Sequence, residues 1–209
     1  PGAMSEKQMA LLQTFGDQAV IAIENVRLFN ETKEALERQT ATAEVRDAIS
    51  NSVSDATPVF EKIVDSCDRL FGANDISVFL VRDEQLHVAA YRGDYADDMA
   101  QAFPRPLART VREMSLAQDT VIYRASTMTD ADVPAYLREM AKRIGDFSLA
   151  TAPMMWEGRG IGTIDIACVP PRPFSDDELG LLKSFADQAV IAIQNARLFN
   201  ETQEALERQ

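Results

Sequence analysis

The chain has 209 residues, 46% apolar and 26% charged, with a net charge of −12; this is the balance of one soluble globular domain with extensions, not of a disordered or fibrous chain. The acidic excess argues against a nucleic-acid surface, which needs clustered Lys and Arg. No apolar run approaches the ~20 residues of a membrane span, no signal peptide is expected, and two cysteines without metal-type or redox-type spacing, Cys67 and Cys168, read as free thiols of a cytoplasmic protein.

Pro1 to Met4 reads as a tag remnant and is set aside. Ser5 and Gln8 form a capping box that opens a helix, with Met4 and Met9 as its staple pair. Leu12, Phe15, Ala19, Ala22, Val26, Phe29 and Leu36 then recur at alternating spacings of three and four, with Lys33 in the missing slot. That is an a/d heptad seam, and it predicts a partner helix; Val20, Ile21 and Ile23 widen the apolar stripe. Glu31 follows Arg27, and Arg38 follows Glu34, at the i,i+4 spacing of helical ion pairs. No Pro or Gly occurs between Gly16 and Pro58, so the helix runs on to about residue 50 or breaks near Gln39 to Ala41.

Thr57 to Phe71 is an amphipathic helix with Gly72 as its C-cap. Asp75 to Val81 and Gln85 to Tyr91 are strands joined as a hairpin. Short helices are expected over Tyr95 to Phe103 and Thr110 to Leu116, a short strand over Thr120 to Ala125, and a helix over Val133 to Ile144 ended by Gly145. Ser148 to Trp156 and Ile161 to Val169 make a last hairpin, stopped by Pro170, Pro171 and Pro173. Its GRGIGT turn lacks the full Gly-x-Gly-x-x-Gly and lies between two strands, which makes it a hairpin turn and not a phosphate loop.

The final helix opens on a second capping box, Ser175 with Glu178, stapled by Phe174 and Leu179. It then repeats the first. FGDQAVIAIENVRLFNETKEALERQ (15–39) returns as FADQAVIAIQNARLFNETQEALERQ (185–209), differing only at Gly16/Ala186, Glu24/Gln194, Val26/Ala196 and Lys33/Gln203. The seam returns as Leu182, Phe185, Ala189, Ala192, Ala196, Phe199 and Leu206, with Gln203 in the gap. Both seams are assigned to the helices of a homodimer.

Strand alternation locates a candidate pocket. Gly162, Ile164, Ile166 and Cys168 point to the long helices, and Thr163 and Asp165 point the other way. Ser77, Phe79, His87, Tyr91 and Trp156 are assigned to the same cavity. Asp165, set between two isoleucines, requires a cationic or hydrogen-bonding partner, for which Arg109 and Arg124 are candidates. No nucleophile–base pair or metal-ligand set stands out. His87, the only histidine, is expected to be structural or to line the pocket.

SLATAPMMWEGRGIGTIDIA resembles the closing hairpin of GAF domains, and PFSDDELGLLKSFADQAVIAIQNARLF resembles their exit helix; Ala108 to Val111 and VIYRAS fit the same pattern. The resemblance implies an α+β fold: a central antiparallel sheet of about five or six strands, long N- and C-terminal helices on one face and short helices on the other. It also implies a tandem-GAF bacterial sensor histidine kinase. Residues 5–50 would then be the exit helix of a preceding GAF domain continuing as an entry helix, 51–174 the domain, and 175–209 its own exit helix and coiled-coil linker. The function implied is a sensory, signal-transducing module that dimerises and binds a small molecule; a small-molecule-binding enzyme domain of the same fold is the alternative. The family's cyclic-nucleotide set Asn-Lys-Phe-Asp-Glu is not found, neither cysteine precedes a His as in bilin attachment, and the cysteine cluster of free-methionine-sulfoxide reductases is absent. No cofactor or metal follows from the sequence.

Overall fold

The computed structural model describes residues 5–52 and 54–207, so the tag remnant 1–4 and Met4 of the first staple lie outside the described residues. Contacts divide the chain into two units, residues 1–41 and 42–209. Helix α1 (Glu6–Asn51) is continuous and does not break near Gln39 to Ala41; it contains no Pro, and no Gly after Gly16.

In the first unit the capping box forms: the Ser5 amide donates to Gln8 Oε1 at 2.9 Å and the Gln8 amide to Ser5 Oγ at 3.3 Å. The helical ion pairs form too, Arg27–Glu31 at 3.0 Å and Arg38–Glu34 at 3.7 Å. The seam residues Leu12, Phe15, Val26, Phe29 and Leu36 are exposed.

The second unit is a six-stranded antiparallel sheet, ordered β3-β2-β1-β6-β5-β4. Helix α2 (Thr57–Phe71) ends on Gly72 at φ +53, the left-handed cap its sequence calls for. Strands β1 (Asp75–Arg82) and β2 (Gln85–Gly93) turn through Asp83 and Glu84, both at positive φ, so two acidic residues adopt a conformation usually given to Asn or Gly. Helix α3 (Ala96–Ala102) leads to β3 (Arg105–Pro106), a two-residue strand with too little pattern to be read from sequence. Helix α4 (Val111–Gln118) is capped by Thr110, whose hydroxyl accepts the Glu113 amide at 3.2 Å. Strand β4 (Ile122–Arg124), helix α5 (Ala135–Ile144), strands β5 (Ser148–Trp156) and β6 (Arg159–Cys168), and helix α6 (Asp176–Glu207) complete the unit.

Helices α2 and α6 cover one face of the sheet, and α4 and α5 cover the other. On the first face Ile76, Val78, Ala150, Ala152, Ile164 and Ile166 are buried; α6 packs on β5, and the small residues Ala150 and Ala152 of the strand and Ala186, Ala189 and Ala192 of the helix are all fully buried. This corrects the assignment of the second seam. Leu182, Phe185, Ala189 and Ala192 are fully buried and Ala196 nearly so, covered by the unit's own structure and out of reach of a partner helix. The heptad spacing was a true signal of an apolar stripe, but α6 spends most of it on its own sheet. Only Phe199 and Leu206, beyond the end of that contact, stay exposed.

One arginine ties the sheet to α6. Arg172 Nη2 donates to the carbonyl of Phe71 at 2.5 Å and to Glu178 Oε1 at 2.8 Å, and its guanidinium stacks 4.6 Å over the Phe174 ring. Glu178 also accepts the Ser175 amide at 2.8 Å, so the capping box and the end of α2 share one cation. Burial raises the pKa of Glu178, but Arg172 and Ser175 outweigh it and hold the carboxyl below its ordinary range.

Candidate ligand cavity

Along β6 the register sets Asp165 opposite Ser77 of β1 and Thr151 of β5, and Thr163 opposite Phe79 and Pro153. Directly opposite residues share a face. Ser77, Thr151, Thr163 and Asp165 therefore form a polar row on the face that α4 and α5 cover, away from α6, as strand parity predicts. A cavity of about 740 Å³ opens over this face, within the ~300–1,000 Å³ of small-molecule sites. Its floor includes Ser77, Asp165 and Asp75; its walls include Tyr95, Phe103, Tyr136 and Phe147.

The partner of Asp165 is Arg112, a residue that sequence reasoning missed. Its Nη2 lies 2.7 Å from Asp165 Oδ2, and both side chains are nearly buried, at 11% and 4% exposure. The guanidinium also sits 4.0 Å over the Phe79 ring, and Phe79 packs on Phe103 at 4.8 Å. The Arg112–Asp165 contact is charge to charge: neither carboxylate oxygen is aligned with a hydrogen-bond donor, and Arg112 Nε, Thr151 Oγ1 and Thr163 Oγ1 have no aligned partner. Burial pushes the Asp165 carboxyl above its ordinary range; Arg112 and the nearby Thr163 and Thr151 hydroxyls oppose the shift without cancelling it. A signal for Arg112 was present in the sequence. It lies three and four residues before the buried Ser115 and Leu116, on the inward stripe of α4.

The two arginines proposed instead are elsewhere. Arg109 precedes α4 at positive φ and is exposed; its amide donates to Glu113 at 2.6 Å. Arg124 donates to the carbonyls of Tyr123 and Asp132 and does not line the cavity. Ser77, Tyr91 and Asp165 line it; Phe79 and Thr163 lie under its floor, held by Arg112 and by the β1–β6 register. Trp156, at the far end of β5 opposite Arg159, is outside it.

His87 is also outside. Val78 pairs with Ala90 but Phe79 pairs with Val88, so Ala89 is an extra residue in β2. The bulge reverses side-chain parity: Tyr91 faces the cavity, Val88 and Leu86 follow Phe79, and His87 turns to the opposite face with Leu80. Tyr91 donates its hydroxyl to Asp75 Oδ1 and accepts the Tyr95 amide at 3.1 Å. Burial, and next the bond to Asp75, push the Tyr91 pKa up. Both cysteine thiols are pushed up by burial, and neither lines the cavity. Among the described residues no group of acidic, His or Cys side chains is placed to hold a metal ion, and no helix is long and apolar enough to cross a membrane.

Residues 55–193 match the GAF domain family. No curated protein matches the chain by sequence. Solved structures do. The GAF domain of a phosphoenolpyruvate-protein phosphotransferase from Coxiella burnetii superposes at TM-score 0.66 and 13% identity, over 80% of this chain and 98% of that one. Free methionine-R-sulfoxide reductase from Neisseria meningitidis, in complex with its substrate, superposes at 0.65 and 18%, over 79% and 93%. A domain of a protein described as a two-component sensor histidine kinase from Sinorhizobium meliloti 1021 superposes at 0.56 and 21%, over 69% and 94%. At these identities the likeness is one of fold.

Proposed function

The chain belongs to the GAF domain family, and from that premise we propose that it is a sensory module of a cytoplasmic histidine kinase that captures a small molecule and passes the event to its helices. The observation that carries this reading is the Arg112–Asp165 pair on the cavity floor. A buried ion pair contributes little to stability, because desolvation offsets the attraction. This one leaves its oxygens and the adjacent hydroxyls without aligned partners. Such a floor costs the empty fold and favours a fold with something in it. Capture without chemistry is favoured over the enzyme alternative because His87 faces away and both thiols are held neutral outside the cavity.

The repeat supports the proposed arrangement of the parent chain. Identical residues that bury Phe185 and Ala189 on their own sheet leave Phe15 and Ala19 exposed in the first copy. The first copy is then the exit helix of a preceding GAF domain whose sheet covers that stripe. The rest of the apolar surface, Ile21 and Leu28 with Ile191 and Leu198, is left for a parallel homodimer of helices. The test is to denature protein purified from cell extract and identify the released small molecules by mass spectrometry, with light scattering on the same sample. One compound at a stoichiometric level and twice the 23.1 kDa chain mass are expected. Extract that yields no compound, and does not raise the melting temperature, refutes ligand capture; a monomer at micromolar concentration refutes the dimer.

A further inference from the structure

We infer that the molecule this cavity takes is amphoteric, with a hydrogen-bond-donating or cationic group at one end, an anionic group at the other and a flat apolar body between. The inference rests on the reading of the cavity as a ligand site and names the class of ligand.

The first pole is Asp165. It is 3% exposed and lines the cavity; its two oxygens accept no aligned hydrogen bond, and Thr151 and Thr163 beside it, both fully buried, have unmatched hydroxyls. Arg112 supplies charge from one side only, on Oδ2. An acceptor-only carboxylate that lines a cavity with no aligned donor of its own calls for one from the cavity, an ammonium or an N–H edge. An anion at this spot would meet the Asp165 charge at close range.

The second pole is Arg105 of β3. The other basic groups lining the cavity have carboxylate partners: Lys142 with Glu139 at 2.6 Å, Arg143 with Asp98 at 2.9 Å, and Arg112 with Asp165. Among the described residues Arg105 has none. Its guanidinium is held over Tyr136 at 5.1 Å and beside Phe103 at 5.9 Å. A guanidinium steadied by aromatic faces, with its fork uncommitted, is the group that takes a carboxylate or phosphate in two parallel hydrogen bonds. Arg105 and Arg112, the partner of Asp165, each lie 5.9 Å from the Phe103 centroid, so both poles belong to the neighbourhood of one aromatic ring. A flat body lying along Phe103 and Tyr136 reaches both.

Titration of the chain with probes built on one ring decides it, followed by amide NMR shifts of cavity residues and by calorimetry. 4-(Aminomethyl)benzoate and the longer 3-[4-(aminomethyl)phenyl]propionate carry both poles; 4-methylbenzylamine and 4-methylbenzoate carry one each; p-xylene carries none. At least one two-pole probe is expected to bind about tenfold or more tighter than either single-pole probe. Arg105→Met should bring it down to the level of 4-methylbenzylamine and leave 4-methylbenzylamine unchanged. Asp165→Asn should bring it down to the level of 4-methylbenzoate. Arg105→Met tests the claim by itself if Asp165→Asn fails to fold. Single-pole probes or p-xylene binding in the cavity as tightly as the two-pole probes would overturn the amphoteric class and leave the ligand site standing. No cavity shift from any probe at millimolar concentration overturns both.

Discussion

Replacing Arg112 by Met keeps an unbranched apolar stem and removes the guanidinium and its charge, which leaves Asp165 buried alone at 4% side-chain exposure. Breaking a buried pair from one side costs about 3–5 kcal/mol, because the remaining charge has no compensation. The contact over the Phe79 ring, worth up to about 2 kcal/mol when desolvated, falls within that loss. For a chain of this size the melting temperature should drop by about 6–20 °C. The sign of the pH effect follows from Asp165, whose folded-state pKa already stands above its ordinary value. Its stabilising contribution is fully present below that ordinary value and is lost as pH rises through the folded pKa. Without Arg112 the folded pKa rises further, so the variant should recover stability relative to wild type between pH 7 and pH 5. Adding Asp165→Asn to Arg112→Met removes the orphaned charge and should restore most of the loss at pH 7. Urea denaturation of the three proteins at both pH values measures this. A loss below about 1 kcal/mol for Arg112→Met, or a double variant as unstable as the single one, would refute the claim that the pair is held by charge in a dry site.

The two copies of the repeat should respond differently to one substitution. Phe185→Asp buries a charge in a fully covered site and should abolish folding, whereas Phe15→Asp, at a position 60% exposed, should leave the melting temperature unchanged. Gly162→Ala should destabilise by about 1–3 kcal/mol in urea, since its methyl group would overlap the Phe79 carbonyl of the neighbouring strand. Thr110→Ala should cost about 1 kcal/mol by removing the cap of α4, and should loosen Arg112 with it, so calorimetric affinity for the two-pole probes of the proposed site should fall too. Lys33→Leu and Gln203→Leu, at polar breaks in the two seams, should raise the melting temperature of the proposed dimer and lock the proposed parent kinase on or off; a raised melting temperature with regulation intact removes the switch role.

The elements were legible because their signals are local. Capping boxes, the Gly72 cap and the two hairpins all rest on residues within a few positions of each other. The site was legible only as far as alternation held. Asp165 and Ser77 were placed on the right face by parity alone, because β1 and β6 pair without interruption between Asp75 and Leu80. His87 was misplaced because one extra residue at Ala89 has no signature in QLHVAAYRG. Arg112 was overlooked although its spacing to Ser115 and Leu116 puts it on the inward stripe of α4, whereas Arg109 lies before the helix at a left-handed turn. In α6 the heptad seam named the right stripe and the wrong cover: an apolar stripe states that it must be buried but not against what.

The Arg172 clamp has a consequence of leverage. Its guanidinium fixes the first turn of α6 to the end of α2 through Glu178 and the Phe71 carbonyl. The 32 residues of α6 make an arm of about 48 Å at ~1.5 Å per residue. Each degree of tilt at Ser175 then moves the far end of the arm by about 0.8 Å. A hydrogen bond tolerates only a few tenths of an ångström before it weakens, so a displacement too small to break the clamp is already large by the time it reaches Leu206.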